Sequence, residues 1–126
     1  MNIKTTTTIR EACSYVRDEL GIKIIGGAWF EWNGDKIVAT DPIGAVILKA
    51  GKVPKEIDPK HPETLSQPGL IKVAKDELGV DHFWLYRFWM GYDRFFQIKA
   101  ITDKDQEIKD DVSEFGISLA REFLVY

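Results

Sequence analysis

Apolar positions along the chain fall into three long stretches of helical spacing, separated by shorter segments that alternate or break. Ile9, Cys13, Val16 and Leu20 repeat at three- and four-residue intervals, the signature of a helix with one buried face. Thr8 and Glu11 give a T-x-x-E capping box ahead of this run, and Gly21 gives a stop. A helix over residues 9–20 is therefore predicted. At the other end Ile108, Val112, Phe115, Leu119 and Phe123 mark a continuous apolar stripe, so a helix is predicted from about Asp105 to Leu124.

Between these lies GIKIIGGAWFEWNGDKIVAT. Asn33-Gly34 is a strong hairpin signal, because both residues tolerate the positive φ of a type I′ turn. Around it Ala28, Phe30 and Trp32 are expected on one face, with Trp29 and Glu31 on the other. Lys36–Thr40 is the returning strand, and residues 22–25 suggest a further strand in a small meander. The pair Gly26-Gly27 suggests a bulge or a close backbone approach. DPIGAVILKAG then reads as a short buried helix, with Asp41 as N-cap, Pro42 at the first helical position and Gly51 past the end. The run GAVILK would also suit a buried strand, since periodicity alone does not separate the two.

Residues 52–68, KVPKEIDPKHPETLSQP, hold four of the five prolines and show no apolar period. Such a segment is either a solvated connector or a lid whose lysines reach a bound anion. LIKVAKDEL, residues 70–78, forms another short helix ended by Gly79, and Asp81 caps the aromatic stretch beyond it. FFQIKAI alternates like a strand that joins the hairpin. The fold expected from these elements is α+β in one domain over residues 1–126. A small antiparallel sheet packs there with N-terminal, central aromatic and long C-terminal helices.

The central segment changes the picture most. Of four tryptophans, four tyrosines and seven phenylalanines in the chain, eight lie in the fourteen residues FWLYRFWMGYDRFF, Phe83–Phe96. On a helix over residues 82–92, Trp84 and Phe88 share a line, with Leu85, Trp89 and Tyr92 beside it. That is a generous core face. Arg87 and Arg94 run along one edge of it near Phe83, and Tyr86, Met90 and Asp93 lie opposite. Aromatic rings beside guanidinium groups suit a purine nucleotide, where a ring stacks on the base and arginine meets phosphate. The same residue types are enriched at protein interfaces, and an exposed face of this kind predicts self-association.

Composition narrows the partners. The chain has 126 residues, with 44% apolar and 29% charged, a net charge of −3 and a pI near 5.4. A general polyanion binder is expected to be basic, which argues against duplex nucleic acid but not against a small anion in a local pocket. MNIKTTTT lacks the apolar core of a signal peptide, and no run of 18 apolar residues occurs. A cytoplasmic protein without a membrane span is expected. Cys13 is the one cysteine and reads as a buried thiol. His61 and His82 stand apart with no metal-ligand spacing, and no nucleophile-elbow, P-loop or dinucleotide fingerprint is present. Neither a catalytic role nor a cofactor is therefore expected.

Taken together, the capped helix TIREACSYVRDELGIK, the segment GGAWFEWNGDKIVATDPIGAVIL, the stretch LGVDHFWLYRFWMGYDRFFQIK and the long final helix resemble one known family. It is the phage Thoeris anti-defense family of the first described type. The resemblance spans nearly the whole chain and rests on the order and length of the elements. It implies non-catalytic sequestration of a cyclic ADP-ribose isomer made by bacterial TIR-domain enzymes, with cyclic oligonucleotides held in some members. It also implies a homo-oligomer, a dimer or larger, with the pocket between protomers, and for a phage-encoded chain the host bacterial cytoplasm. No family contact maps onto a particular residue, so the site candidates come from this sequence. Phe83, Trp84, Tyr92, Trp29 or Trp32 would stack on adenine. Arg87 and Arg94, with Lys109 or Arg121, would meet the pyrophosphate, and Asp93 or Glu31 a ribose hydroxyl. The competing reading is a phage inhibitor or adaptor module that docks a host protein through its aromatic and arginine face.

Overall fold

In the computed structural model the described residues are 2–53, 62–97 and 110–123, with backbone only for 62–68 and 94–97. The elements run α1 (Ile3–Asp18), β1 (Lys23–Ile24), β2 (Phe30–Asn33), β3 (Lys36–Thr40), α2 (Pro42–Lys49), α3 (Pro62–Leu78), α4 (His82–Gln97) and α5 (Asp111–Phe123). Among the described residues, five helices and a three-stranded sheet make a small α+β fold.

α1 starts earlier than its capping box suggested. Asn2 is the N-cap and accepts from the Lys4 amide at 2.9 Å. The threonine run continues the helix, because Thr6 and Thr8 donate their hydroxyls to the Ile3 and Lys4 carbonyls of the preceding turn. Thr8 is thus inside the helix rather than at its start. Ile9, Cys13 and Val16 are buried as expected. Leu20 is 45% exposed, because the helix ends at Asp18 and the chain turns away through Gly21 at φ 65°.

The Asn33-Gly34 hairpin forms as expected, with Asn33 paired to Lys36 and Gly34 at φ 66°. β1 joins the other side of β3 in parallel, pairing Lys23 with Ala39 and Ile24 with Thr40. The sheet is therefore mixed, in the order β1-β3-β2, and not a meander. A register irregularity between Glu31 and Trp32 breaks the simple alternation. Phe30 and the preceding Trp29 are both buried, whereas Glu31 is exposed.

α2 settles the 41–51 segment as helix. The Asp41 carboxylate accepts from the Gly44 amide at 2.6 Å, Pro42 opens the helix and Gly51 follows it at φ 69°. It packs against α1 and the sheet with almost no room. A Cβ on Gly44 would stand 2.9 Å from both the Phe30 ring and the Trp29 carbonyl oxygen.

α3 reaches back to Pro62, so the end of the proline-rich segment is helical. Residues 54–61 lie outside the described set, and with them the question of a lid. α4 runs on through Gly91 to Gln97, which places Phe95–Gln97 in helix rather than in the expected strand. The remainder of that expected strand, and the first part of the predicted final helix, lie outside the described residues. α5 begins at Asp111, with Asp110 accepting from the Ser113 amide at 2.9 Å. Val112, Phe115, Leu119 and Phe123 form its buried face, as the periodicity predicts.

α4 and α5 cross in close backbone contact. Arg87 meets Asp110, the turn Phe88–Gly91 meets Ser113 and Gly116, and Tyr92 follows. Two glycines set the spacing. A Cβ on Gly91 would lie 2.0 Å from the Ser113 carbonyl oxygen, and one on Gly116 would lie 2.5 Å from that of Phe88. Leu85, Phe88, Tyr92, Val112, Phe115 and Leu119 fill the core around this crossing.

Candidate functional site

The first turns of α1, α4 and α5 meet at one end of the molecule and line a cleft of about 460 Å³. Asn2 and Thr5 come from α1, Asp111 and Val112 from α5, and Val80, Asp81, Phe83, Trp84 and Arg87 from the start of α4 and the turn before it. The volume lies within the range of small-molecule pockets. Local sequence builds this end directly. Asp81 caps α4 by accepting from the Trp84 amide at 2.7 Å, and Thr5 donates to the Leu78 carbonyl at 3.3 Å, which ties α1 to the end of α3.

Phe83 and Arg87 stand one turn apart on α4. The Phe83 ring is 64% exposed, with the Arg87 guanidinium 5.1 Å from its centroid. Arg87 Nη1 is 3.5 Å from Asp110 Oδ1, and Arg87 Nε is buried without a hydrogen-bond acceptor among the described residues. Trp84 is half-buried and stacks on Phe88 at 5.7 Å and 5° between planes. Burial works to raise the Asp110 carboxyl, but the Ser113 amide and hydroxyl and the Arg87 charge outweigh it. That carboxyl is held below the ordinary carboxylate range. Helix starts favour negative charge, and here Asp81, Asp110 and Asp111 supply it. The cleft therefore combines an exposed ring, one guanidinium and acidic edges able to accept from hydroxyl or amine groups.

The eleven sequence candidates do not form one site. Phe83, Trp84 and Arg87 come together in the cleft. Tyr92 does not join them: it is fully buried, and its hydroxyl donates to the Ile25 carbonyl at 2.5 Å. Trp29 is 7% exposed and packs edge-on to Trp89 at 5.1 Å, so it is core. Trp32 is half-buried on the hairpin, edge-on to Phe30, with its indole nitrogen buried and without an acceptor. Glu31 is exposed on β2, on a different element from the cleft. Asp93 is not opposite the core but half-buried, and it accepts from the Gly27 amide at 3.1 Å. Arg121 stands ten positions along α5 from Asp111, on the order of 15 Å at the helical rise. The side chain of Arg94 and all of Lys109 lie outside the described residues.

A second polar cluster joins the loop between β1 and β2 to α2 and α4. Asp41, beyond capping α2, accepts from the Trp89 indole N–H at 2.9 Å. Burial pushes its carboxyl up to about 8, against the hydrogen bonds from Gly44 and Trp89, and the nearby Asp93 charge adds to the rise. Burial likewise raises Asp93, against its bond from Gly27. Both Asp41 oxygens accept hydrogen bonds from N–H donors, which favours ionisation, but desolvation outweighs them. Sequence reasoning found Asp41 as a cap but not its tertiary partner. It missed Asp110 altogether, although the D-x-x-S spacing from Asp110 to Ser113 is a legible cap signal.

Among the described residues no group of three or more His, Cys, Asp or Glu side chains is placed to hold a metal ion. No helix among them is long and apolar enough to cross a membrane. The chain matches no family model, no curated protein and no solved structure.

Proposed function

We propose that this protein holds a small nucleotide-type ligand in the cleft between the first turns of α1, α4 and α5, without transforming it. The observation that carries the reading is the pairing of an exposed Phe83 ring with the Arg87 guanidinium inside a cleft of suitable size. The ring and Trp84 offer surface for a base, where each stacked base contributes on the order of 1–3 kcal/mol. Arg87 supplies the anion contact, and Asp81 or Asp111 accepts from ribose hydroxyls. The resemblance to the Thoeris anti-defense family supplies the biological role: sequestration of a cyclic ADP-ribose isomer that signals in bacterial anti-phage defence. Self-association belongs to the same reading. Ile3, Phe83 and Tyr86 are large and well exposed near this end, and a second copy over them would deepen an open cleft.

The test incubates the protein with a cyclic ADP-ribose isomer, separates protein from filtrate and assays both by mass spectrometry. Stoichiometric depletion, with the intact compound returned on heat denaturation, is expected. Phe83→Ala is expected to lose this uptake while keeping the fold, since the ring is mostly exposed. A product of altered mass would replace the reading with an enzymatic one. No depletion at micromolar protein would end it, and would favour docking of a host protein on the surface that Phe83 and Tyr86 present.

A further inference from the structure

Arg87 is the under-used group in this cleft. A guanidinium carries five N–H donors in a rigid fork. Here Nη1 reaches Asp110 at 3.5 Å, well beyond the roughly 2.7–2.9 Å of a charge-assisted hydrogen bond. Nε is buried with no acceptor among the described residues, although the side chain as a whole is 30% exposed toward the cleft. Such an orphaned donor is costly to keep and marks a place where an acceptor belongs. Asp110, for its part, spends its better bonds elsewhere. Oδ1 accepts from the Ser113 amide and Oδ2 from the Ser113 hydroxyl, both at 2.9 Å. Its hold on Arg87 is a loose, charge-only contact.

We propose that Asp110 is a built-in competitor for Arg87, occupying the side of the guanidinium that one phosphate group of a bound nucleotide would take. The inference rests on the nucleotide reading of the cleft and names its anion contact and the residue that tunes it. The exchange is geometrically simple. Asp110 remains anchored to the first turn of α5 through Ser113 when Arg87 leaves it, so the helix cap survives. Arg87 gains a bidentate partner for its fork, one turn along α4 from the exposed Phe83 ring. Arg87 is the one arginine among the described lining residues, so it meets one phosphate of the ligand, whether a monophosphate or one half of a pyrophosphate. Asp110 also sets a threshold. An anion with no ring to stack on Phe83 has to displace a carboxylate without that compensation, so inorganic phosphate is a poor ligand.

Calorimetric titration with adenosine 5′-monophosphate and with adenosine tests this, using the wild type, Asp110→Asn, Arg87→Gln and the double variant. Asparagine keeps the N-cap, and circular dichroism verifies the fold of each variant. The wild type is expected to bind the monophosphate more tightly than the nucleoside. Asp110→Asn should tighten the monophosphate about two- to fivefold, the scale of a half-exposed ion pair, and leave adenosine unchanged. Arg87→Gln should erase the advantage of the monophosphate, and Asp110→Asn should then change nothing in that background. Equal tightening for both ligands, or tightening that persists without Arg87, would overturn the competitor role while the nucleotide reading stands. Binding of neither ligand to any folded variant would remove both.

Discussion

The glycine crossing between α4 and α5 gives the sharpest test of the fold. Gly91 has no Cβ, and one built there would sit 2.0 Å from the Ser113 carbonyl oxygen and 2.8 Å from its carbonyl carbon. A comfortable carbon–oxygen approach is roughly 3.4 Å, so Gly91→Ala demands that the helices part by about 1.4 Å at this point. Both obstructing atoms are backbone, and no side-chain rotation relieves them. Parting the helices stretches the 3.1 Å approach of the Ser113 hydroxyl to the Arg87 carbonyl, which shares that proton with Asp110 Oδ2, and loosens the Phe88–Phe115 contact at 5.8 Å. Overpacking typically costs about 1–3 kcal/mol, and the strained hydrogen bond adds about 1. Alanine returns about 1 kcal/mol of helix propensity, because Gly91 lies within regular helix. The net expectation is a loss of roughly 1–3 kcal/mol, read as a lower urea midpoint by far-UV circular dichroism. Gly69 is the internal control. It is also helical, and a Cβ there meets nothing within 4 Å, so Gly69→Ala should stabilise by up to about 1 kcal/mol. If Gly91→Ala were as stable as Gly69→Ala, the helices would not cross at Gly91 and the packing argument would be wrong.

Other consequences are open to simple measurements. Asp41 holds its proton to about pH 8 in the folded state, against an ordinary value of 3.8. Its contribution is therefore fully present below pH ~4 and is lost as pH rises toward 8, with a slope of at most about 1.4 kcal/mol per pH unit. Urea midpoints between pH 4 and 9 should show this fall, and Asp41→Asn should flatten it; an unchanged slope in that variant would assign the effect elsewhere. Tyr92→Phe deletes the donor to the buried Ile25 carbonyl and should cost about 1–2 kcal/mol, measured by the same denaturation. Cys13 is fully buried and burial raises its thiol, so a disulfide reagent should label it far more slowly in the native protein than in urea. Prompt native labelling would mean that α1 opens readily from α2.

Caps, turns and apolar stripes were legible because they are local. Asp41, Asp81 and Gly51 end or begin helices through bonds to amides or dihedrals a few residues away, and the Asn33-Gly34 turn needs only its own two positions. The buried faces of α1 and α5 follow from 3.6-residue periodicity in the same way. Helix boundaries slipped where two local signals competed. Thr8 offers a cap, yet the same hydroxyl bonds just as well to the carbonyl one turn back, and packing of Thr5 against α3 decides for the longer helix. FFQ alternates for too few residues to outweigh the helix that already contains Gly91.

The candidate site was legible in part for a related reason. Phe83, Trp84 and Arg87 fall within one and a half turns of a single helix, so spacing alone brings them together. Tyr92 and Trp29 have the same chemistry, but the Ile25 carbonyl and the Trp89 ring that bury them come from distant parts of the chain. Asp110 lies 23 positions from Arg87 and meets it only because Gly91 and Gly116 let α4 and α5 close to backbone contact. The sequence by itself determined the central turns of α1, α3, α4 and α5, the residues that turn the hairpin and the apolar faces of α1 and α5, since each depends on neighbours within a turn. Tertiary structure alone decided that β1 runs parallel to β3, that three helix starts enclose one cleft, and which aromatic rings remain exposed. Those outcomes depend on how separate faces share a limited interior, and no local spacing encodes that.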